Sequence, residues 1–125
     1  MPTVAIIGAS ADRSKFGNKA VRAYAARGDT VYPVHPRETA IEGLTAYRSV
    51  LDLPVDHVDL ISIYLPPTTT LSLLDEVAKV SADQVLLNPG AESPEVLERA
   101  QQLKLPVMVA CSIVAAGYSP SEFEE

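Results

Sequence analysis

The apolar residues of the chain fall into short runs separated by stretches with helical spacing. Thr3–Ile7 is β-branched and apolar on both faces, the pattern of a central parallel strand covered on each side. Gly17–Arg27 sets Ala20, Val21, Tyr24 and Ala25 at helical intervals and stops at Gly28. Thr30–Val34 predicts a second strand, ended by Pro33 and Pro36. The pattern over 37–57 is less regular, with a short edge strand predicted at Gly43–Tyr47 and a helical turn at Ser49–Leu53. Leu60–Tyr64 predicts the next strand, followed at once by Pro66-Pro67. Thr68–Val80 places Leu71, Leu74, Val77 and Ala78 on one helical face. Gln84–Leu87 is a strand, and Ser93 caps a helix that has Pro94 first and Glu95 and Glu98 near its positive end. Leu105–Ala110 is the last predicted strand, and the acidic tail 119–125 is expected to fray.

Strands alternating with helices over short connections imply parallel pairing by right-handed crossovers. The expected fold is α/β: a Rossmann-like, doubly wound, mostly parallel sheet of about five strands with helices on both faces. A length of 125 residues suits a single domain over 1–125, and 47% apolar residues with a mean hydropathy of +0.12 suit a packed core. No apolar run reaches the roughly 18 residues of a membrane span, and no basic leader precedes the first strand. One cysteine, Cys111, excludes an internal disulfide, and with His35 and His57 it forms no recognisable zinc spacing. A reducing, cytoplasmic setting is the expectation.

Charge sharpens the picture. The net charge of −6 argues against generic nucleic-acid binding. Residues 1–37 nevertheless hold six basic and two acidic side chains, against four and fourteen in the rest. A basic N-terminal third on an acidic protein points to a local anionic ligand. In a doubly wound sheet, ligands lie beyond the carboxyl ends of the strands. The segments following the predicted strands are Gly8-Ala9-Ser10, His35-Pro36-Arg37, Leu65-Pro66-Pro67, Asn88-Pro89-Gly90 and Cys111-Ser112, so this edge is the candidate site.

Gly8 permits a sharp turn, and small Ala9 and Ser10 let a phosphate approach main-chain N–H groups. A dinucleotide fingerprint would set glycines two and five residues after Gly8, where this chain has Ser10 and Arg13. Arg13 and Lys15 sit in the loop before the helix, within reach of phosphate oxygens, and Gly17 allows close packing at the helix start. An NAD site places an acidic residue after the second strand; His35, Pro36 and Arg37 stand there instead and suit a phosphorylated ribose. NADP and coenzyme A both remain open on these residues. No Walker A motif, nucleophile elbow or His-Glu-x-x-His pair occurs. Cys111 reads as a packed thiol more readily than a reactive one, Tyr47 and Tyr64 as packing residues, and Asp56 and Asp59 as flanking a strand start far from the site.

Taken in order, Ile7-Gly8-Ala9-Ser10, Lys15-Phe16-Gly17-Asn18, Val31–Pro36, Gly43-Leu44, Leu65-Pro66-Pro67, Asn88-Pro89-Gly90-Ala91 and Cys111 resemble the small single-domain coenzyme A-binding proteins. Their fold is that of the N-terminal domain of the succinyl-CoA synthetase α subunit. The resemblance covers about residues 3 to 114. It implies that Gly8, Ala9, Ser10 and Lys15 hold the CoA diphosphate with Arg13 helping, and that His35, Pro36 and Arg37 lie near the adenosine 3′-phosphate. It sets Leu65-Pro66-Pro67 along the groove and Asn88-Pro89-Gly90 beside the pantetheine. The family often has Asn where His35 stands and Gln where Asn88 stands. NDP-forming acyl-CoA synthetases carry their phosphohistidine and nucleotide-grasp parts outside this region. The reading that follows is a non-catalytic carrier, sensor or regulatory module for CoA or acyl-CoA, with no nucleic-acid or membrane partner. The alternatives are a small NADP-dependent oxidoreductase and the CoA-binding subunit of a multi-chain acyl-CoA ligase. Exposed apolar edges in so small a sheet would also permit a homodimer.

Overall fold

β1 (Thr3–Ile7) lies inside a parallel sheet and shows why its sequence does not alternate. Val4 and Ile6 pack into one core layer, Ala5 and Ile7 into the other, so every position after Thr3 is buried. The computed structural model describes residues 2–124; Met1 and Glu125, the two ends of the expected domain span, lie outside it. The remaining strands are β2 (Thr30–Val34), β3 (Ala40–Ile41), β4 (Leu44–Thr45), β5 (His57–Ile63), β6 (Ser81–Leu87) and β7 (Val107–Val109). The helices are α1 (Phe16–Ala26), α2 (Pro67–Val77), α3 (Pro94–Gln102) and α4 (Ser112–Ala115). Five strands form the main sheet in the order β2-β1-β5-β6-β7, all parallel. The chain leaves β1 for one edge and returns to β5 on its other side, which makes the β1/β5 boundary the switch point of a doubly wound sheet.

The two layers divide the helices. Tyr24, Val21 and Ala20 of α1 join Ile113 of α4 against Val4 and Ile6, while Leu74 and Val77 of α2 and Val96 and Ala100 of α3 cover Ala5, Ile7, Ile61 and Ile63. The expected strand–helix order and the doubly wound sheet are therefore present.

Several boundaries differ from the sequence reading. β5 and β6 begin earlier than their apolar runs because the parallel ladder continues through polar residues, pairing His57 with Ser81. β7 is shorter because Pro106 has no N–H to give the ladder. α2 stops at Val77, where Lys79 N–H and Val80 N–H bond to Glu76 and Val77 carbonyls in a tightened last turn. The predicted edge strand at 43–47 is instead a β3–β4 hairpin whose two-residue turn, Glu42 (φ 50°) and Gly43 (φ 77°), has the left-handed conformations of a type I′ turn. Ile41 and Leu44 pack against the α1-side core, and Tyr47 joins the main sheet through a parallel bridge to Val34. The tail does not fray over its described part: Pro120–Phe123 form a 3-10 turn with a Ser119–Glu122 capping box, and Arg22 Nη2 donates to the Phe123 carbonyl at 2.6 Å.

At the opening end of the sheet, the Thr3 N–H donates to Asp59 Oδ2 at 2.7 Å, the Thr3 hydroxyl adds a bond of 3.2 Å, and Asp59 N–H donates to Thr3 Oγ1 at 3.0 Å. These bonds, the Thr3 N–H first, hold the Asp59 carboxyl below its ordinary value of 3.8. A depressed folded-state value stabilises the fold above the unfolded value and loses that contribution as pH falls through the folded one. Urea midpoints measured between about pH 6 and pH 2.5 should therefore separate wild type from Asp59→Asn at the upper end and converge at the lower end. A constant gap across the series would contradict the linkage.

Candidate functional site

Two glycines set the geometry where β1 meets α1. Gly8 has φ +87°, and a Cβ there would lie 2.5 Å from the Tyr64 carbonyl oxygen. A Cβ on Gly17 would lie 2.1 Å from the Gly8 carbonyl oxygen. The end of β1, the end of β5 and the first turn of α1 thus touch backbone to backbone, which only glycine permits. The intervening loop folds on its own side chains: Ser10 Oγ accepts from Asp12 N–H, and Asp12 Oδ1 accepts from the N–H and hydroxyl of Ser14. The Ser14 bonds hold the Asp12 carboxyl below its usual value.

Asn18, fully buried one residue beyond Gly17, ties this loop to its surroundings. Its Nδ2 donates to the Ser10 carbonyl (2.9 Å) and to Glu42 Oε2 (3.0 Å), and its Oδ1 accepts from Arg22 Nε (2.7 Å). Arg22 also donates to the Arg13 carbonyl. The β3–β4 hairpin thereby docks on the loop through Glu42, whose carboxylate stands 3.5 Å from Arg13 Nε.

The first turns of α1 and α2 have no side-chain cap and no acidic residue. Orphan donors remain there, the N–H groups of Phe16 and Gly17 among them, at the positive end of the α1 dipole. α3 differs: Ser93 Oγ accepts from Val96 N–H, and Glu95 occupies its first turn. The uncapped ends flank a cleft of about 390 Å³ over the switch point. Gly8, Lys15, Phe16 and Gly17 form one wall, Tyr64, Leu65, Pro66 and Pro67 a second, and Asn88, Pro89, Gly90 and Ala91 the third.

Nine of the residues selected from sequence therefore meet in one cleft: Gly8, Lys15, Gly17, Leu65, Pro66, Pro67, Asn88, Pro89 and Gly90. Six stand outside its lining. Ala9 packs into the core beside α1, Ser10 holds the loop, and Arg13 faces Glu42. His35 turns Nδ1 to the N–H groups of Arg37 (3.0 Å) and Glu38 (2.8 Å), so it braces the turn that also holds Pro36. Arg37 is exposed and makes no ion pair among the described residues.

Asn88 lines the cleft, yet its amide is committed to the core. Nδ2 donates to Ser62 Oγ and the Ile63 carbonyl, and Oδ1 accepts from Ser112 N–H. Tyr24 donates to the Ser112 carbonyl at 2.7 Å, and burial pushes its phenol up to about 12. Burial also drives the Tyr64 phenol upward, and its buried oxygen has no hydrogen-bond partner. Tyr64 thus stays neutral, with its ring in the cleft wall and its hydroxyl in the α1-side core. Cys111 is half-buried against the α1-side core and outside the lining.

Sequence reasoning did not choose Phe16, Tyr64 or Ala91 as lining residues. Phe16, 53% exposed beside Lys15, offered a signal: an aromatic at a helix start, off the buried face. Glu42 offered none, because its approach to Asn18 across 24 positions depends on the hairpin.

The backbone contact at Gly17 is directly testable. Gly17→Ala should destabilise the fold by about 3 kcal/mol in urea denaturation, since the clashing atom is a carbonyl and cannot rotate away. Ala20→Gly, deeper in the same helix, serves as the control for helix propensity and should cost about 1 kcal/mol plus the loss of one buried methyl.

Comparison with known proteins bears on this geometry. A chain from Pyrococcus furiosus described as a conserved hypothetical protein superposes with a TM-score of 0.85 at 33% identity, covering 92% of this chain and 99% of that one. A dinucleotide-forming acetyl-coenzyme A synthetase from Ca. Korarchaeum cryptofilum superposes with a TM-score of 0.75 at 28% identity over 86% of this chain and 25% of that one. The ADP-forming acetate–CoA ligase II subunit alpha of Pyrococcus furiosus is 36% identical over 87 residues, 67% of this chain and 18% of the subunit. The ADP-forming acetate–CoA ligase of Methanocaldococcus jannaschii is 35% identical over 77 residues, 62% of this chain and 11% of the ligase. The chain therefore spans under a fifth of the length of these curated relatives. No helix among the described residues is long and apolar enough to cross a membrane. The model for the CoA binding domain matches residues 2–117, and the chain belongs to that family.

Proposed function

We propose that the cleft binds coenzyme A or an acyl-CoA, with the diphosphate over the Gly8–Gly17 loop and the pantetheine arm between Leu65-Pro66-Pro67 and Pro89-Gly90. The observation that carries this reading is the uncapped N-terminus of α1, which opens into the cleft with Lys15 at its N-cap position. An anion there gains orphan N–H donors, the helix dipole and one ammonium group at once. The opposite walls are largely proline, leucine and glycine, a surface suited to the weakly polar pantetheine. His35 Nδ1 accepts from the N–H groups of Arg37 and Glu38 and so orders the turn, and exposed Arg37 is a cation available to a ribose phosphate. Ser10 and Arg13 act on the ligand through the loop they shape.

The cleft supplies donors and a weakly polar surface that hold a ligand, and on this reading the chain acts as a carrier, sensor or regulatory module. A second reading has its own support. The Pyrococcus furiosus relative is named as a subunit, so the chain could serve as the CoA-binding component of an acyl-CoA ligase assembled from separate polypeptides. Co-purification with a nucleotide-grasp subunit, and CoA-dependent ligation only in the mixture, would select that reading.

Calorimetric titration with CoA, dephospho-CoA, NADP and NAD tests the ligand. CoA should bind most tightly and dephospho-CoA should lose at least tenfold; preference for NADP would transfer the site to an oxidoreductase. Lys15→Ala should weaken CoA by about ten- to a hundredfold, the equivalent of about 1.5–3 kcal/mol for one charge-assisted contact. Glu42→Gln retains an acceptor for Asn18 while releasing Arg13, and should tighten CoA by up to about fivefold at low salt, an effect that added salt removes.

A further inference from the structure

The opening end of the sheet, opposite the cleft, carries a second constellation. His57 and Asp59 stand two residues apart on β5 and so share a face of the strand. The parallel register sets Ser81 beside His57, and Asp83 follows two residues later on β6. One imidazole, two carboxylates and one hydroxyl therefore meet on a single patch. His57 Nε2 lies 3.4 Å from Asp83 Oδ1 and 3.8 Å from Asp59 Oδ1.

The atoms around these three are already assigned. His57 Nδ1 stands 2.7 Å from Ser81 Oγ, which fixes the ring and leaves Nε2 facing the carboxylates. Asp59 Oδ2 accepts two bonds from Thr3, which leaves Oδ1 free. One ligand atom from each of the three residues lies within 4.8 Å of those of the other two. Two ligands about 2.0–2.1 Å from a tetrahedral ion stand about 3.4 Å apart, so closure of the site needs only small side-chain rotations.

We propose that His57 Nε2, Asp59 Oδ1 and Asp83 Oδ1 bind a divalent transition-metal ion of the zinc class, with solvent completing its coordination. Two carboxylates on neighbouring strands repel one another, and a cation between them reverses that cost. The imidazole distinguishes the ion class, because it favours Zn²⁺ and its neighbours over Mg²⁺ or Ca²⁺. Ser81 and Thr3 supply the outer bonds that orient such ligands. All three ligand side chains are solvent-accessible, so the ion enters directly. Bound there, it joins β5 to β6 and, through Thr3, reaches β1, fastening the sheet at the end remote from the cleft. This role does not depend on the identity of the cleft's ligand.

The test is a titration of the chelator-stripped full chain with ZnCl₂ by calorimetry, and with Co²⁺ by visible absorption, in wild type, His57→Gln and Asp83→Asn. Circular dichroism and urea midpoints in EDTA establish that each variant is folded, as expected for exposed positions. Wild type should bind one Zn²⁺ per chain and melt at higher temperature with it. Each variant should bind at least tenfold more weakly, and the Co²⁺ band should be lost. Equal affinity in folded variants would place the ion elsewhere and overturn the proposal. So would the absence of saturable binding below about 1 mM Zn²⁺, or displacement of Zn²⁺ by an equal concentration of Mg²⁺.

Discussion

The contact between the Gly17 Cα and the Gly8 carbonyl governs the site. Because no side chain separates them, the first turn of α1 sits directly on the end of β1, and β1 in turn sits against the Tyr64 carbonyl at the end of β5. Both strands border the switch point, where crossovers to opposite sides leave a gap between neighbouring loops. Bringing a helix terminus into that gap places its unpaired N–H groups in the cleft. A larger residue at either glycine would move the helix away and separate the dipole from the walls that face it. The cleft's shape and its electrostatics therefore have a common origin in two missing Cβ atoms.

Around this contact, polar groups act mainly on the protein. Asn18 is fully buried, and its side chain bonds to the loop, the hairpin and Arg22; Asn88 bonds to β5 and α4. Such buried amides are stable because their donors and acceptors are matched, and losing a partner would expose the full desolvation cost. They hold the loop after β1 and the loop after β6 at fixed positions relative to α1. Tyr64 is the exception, with a buried hydroxyl that the protein does not satisfy. The ring helps line the cleft while the hydroxyl points into the α1-side core, and Lys15 is the polar side chain of the lining left open to a ligand.

Much of the fold was legible because period and punctuation agreed. Thr3–Ile7 reads as a doubly covered strand, and Ser93-Pro94 as a helix start, since each depends on local chemistry. The N-terminal halves of β5 and β6 were not legible: His57, Asp59, Ser81 and Asp83 are polar, and only the ladder from neighbouring strands makes them β. The same limit applies at the site. Glycines and prolines at strand ends identified most of the cleft, because backbone shape is written in residue type. Charge was a poorer guide. Arg13 has a carboxylate from a distant hairpin, and His35 has its Nδ1 occupied by its own turn, arrangements that exist only after folding.

The acidic balance of the chain is compatible with an anionic ligand because the relevant field is local. At physiological salt, charges farther than about 8 Å apart are largely screened where they face solvent. Most carboxylates lie beyond residue 37, and the first turns of α1 and α2 contain none. Asp12, within the loop, turns its carboxylate to the Ser14 N–H and hydroxyl, and Glu42 approaches from the hairpin side, anchored to Asn18, while Lys15 lines the cleft. Glu42 thus holds Arg13 at 3.5 Å, and no ion pair engages Lys15 among the described residues. The uncapped helix ends add fixed dipoles that salt screens less effectively once the cleft is filled and water is displaced. A net charge of −6 therefore says little about the cleft, whereas the position of one lysine at an uncapped helix start says a great deal.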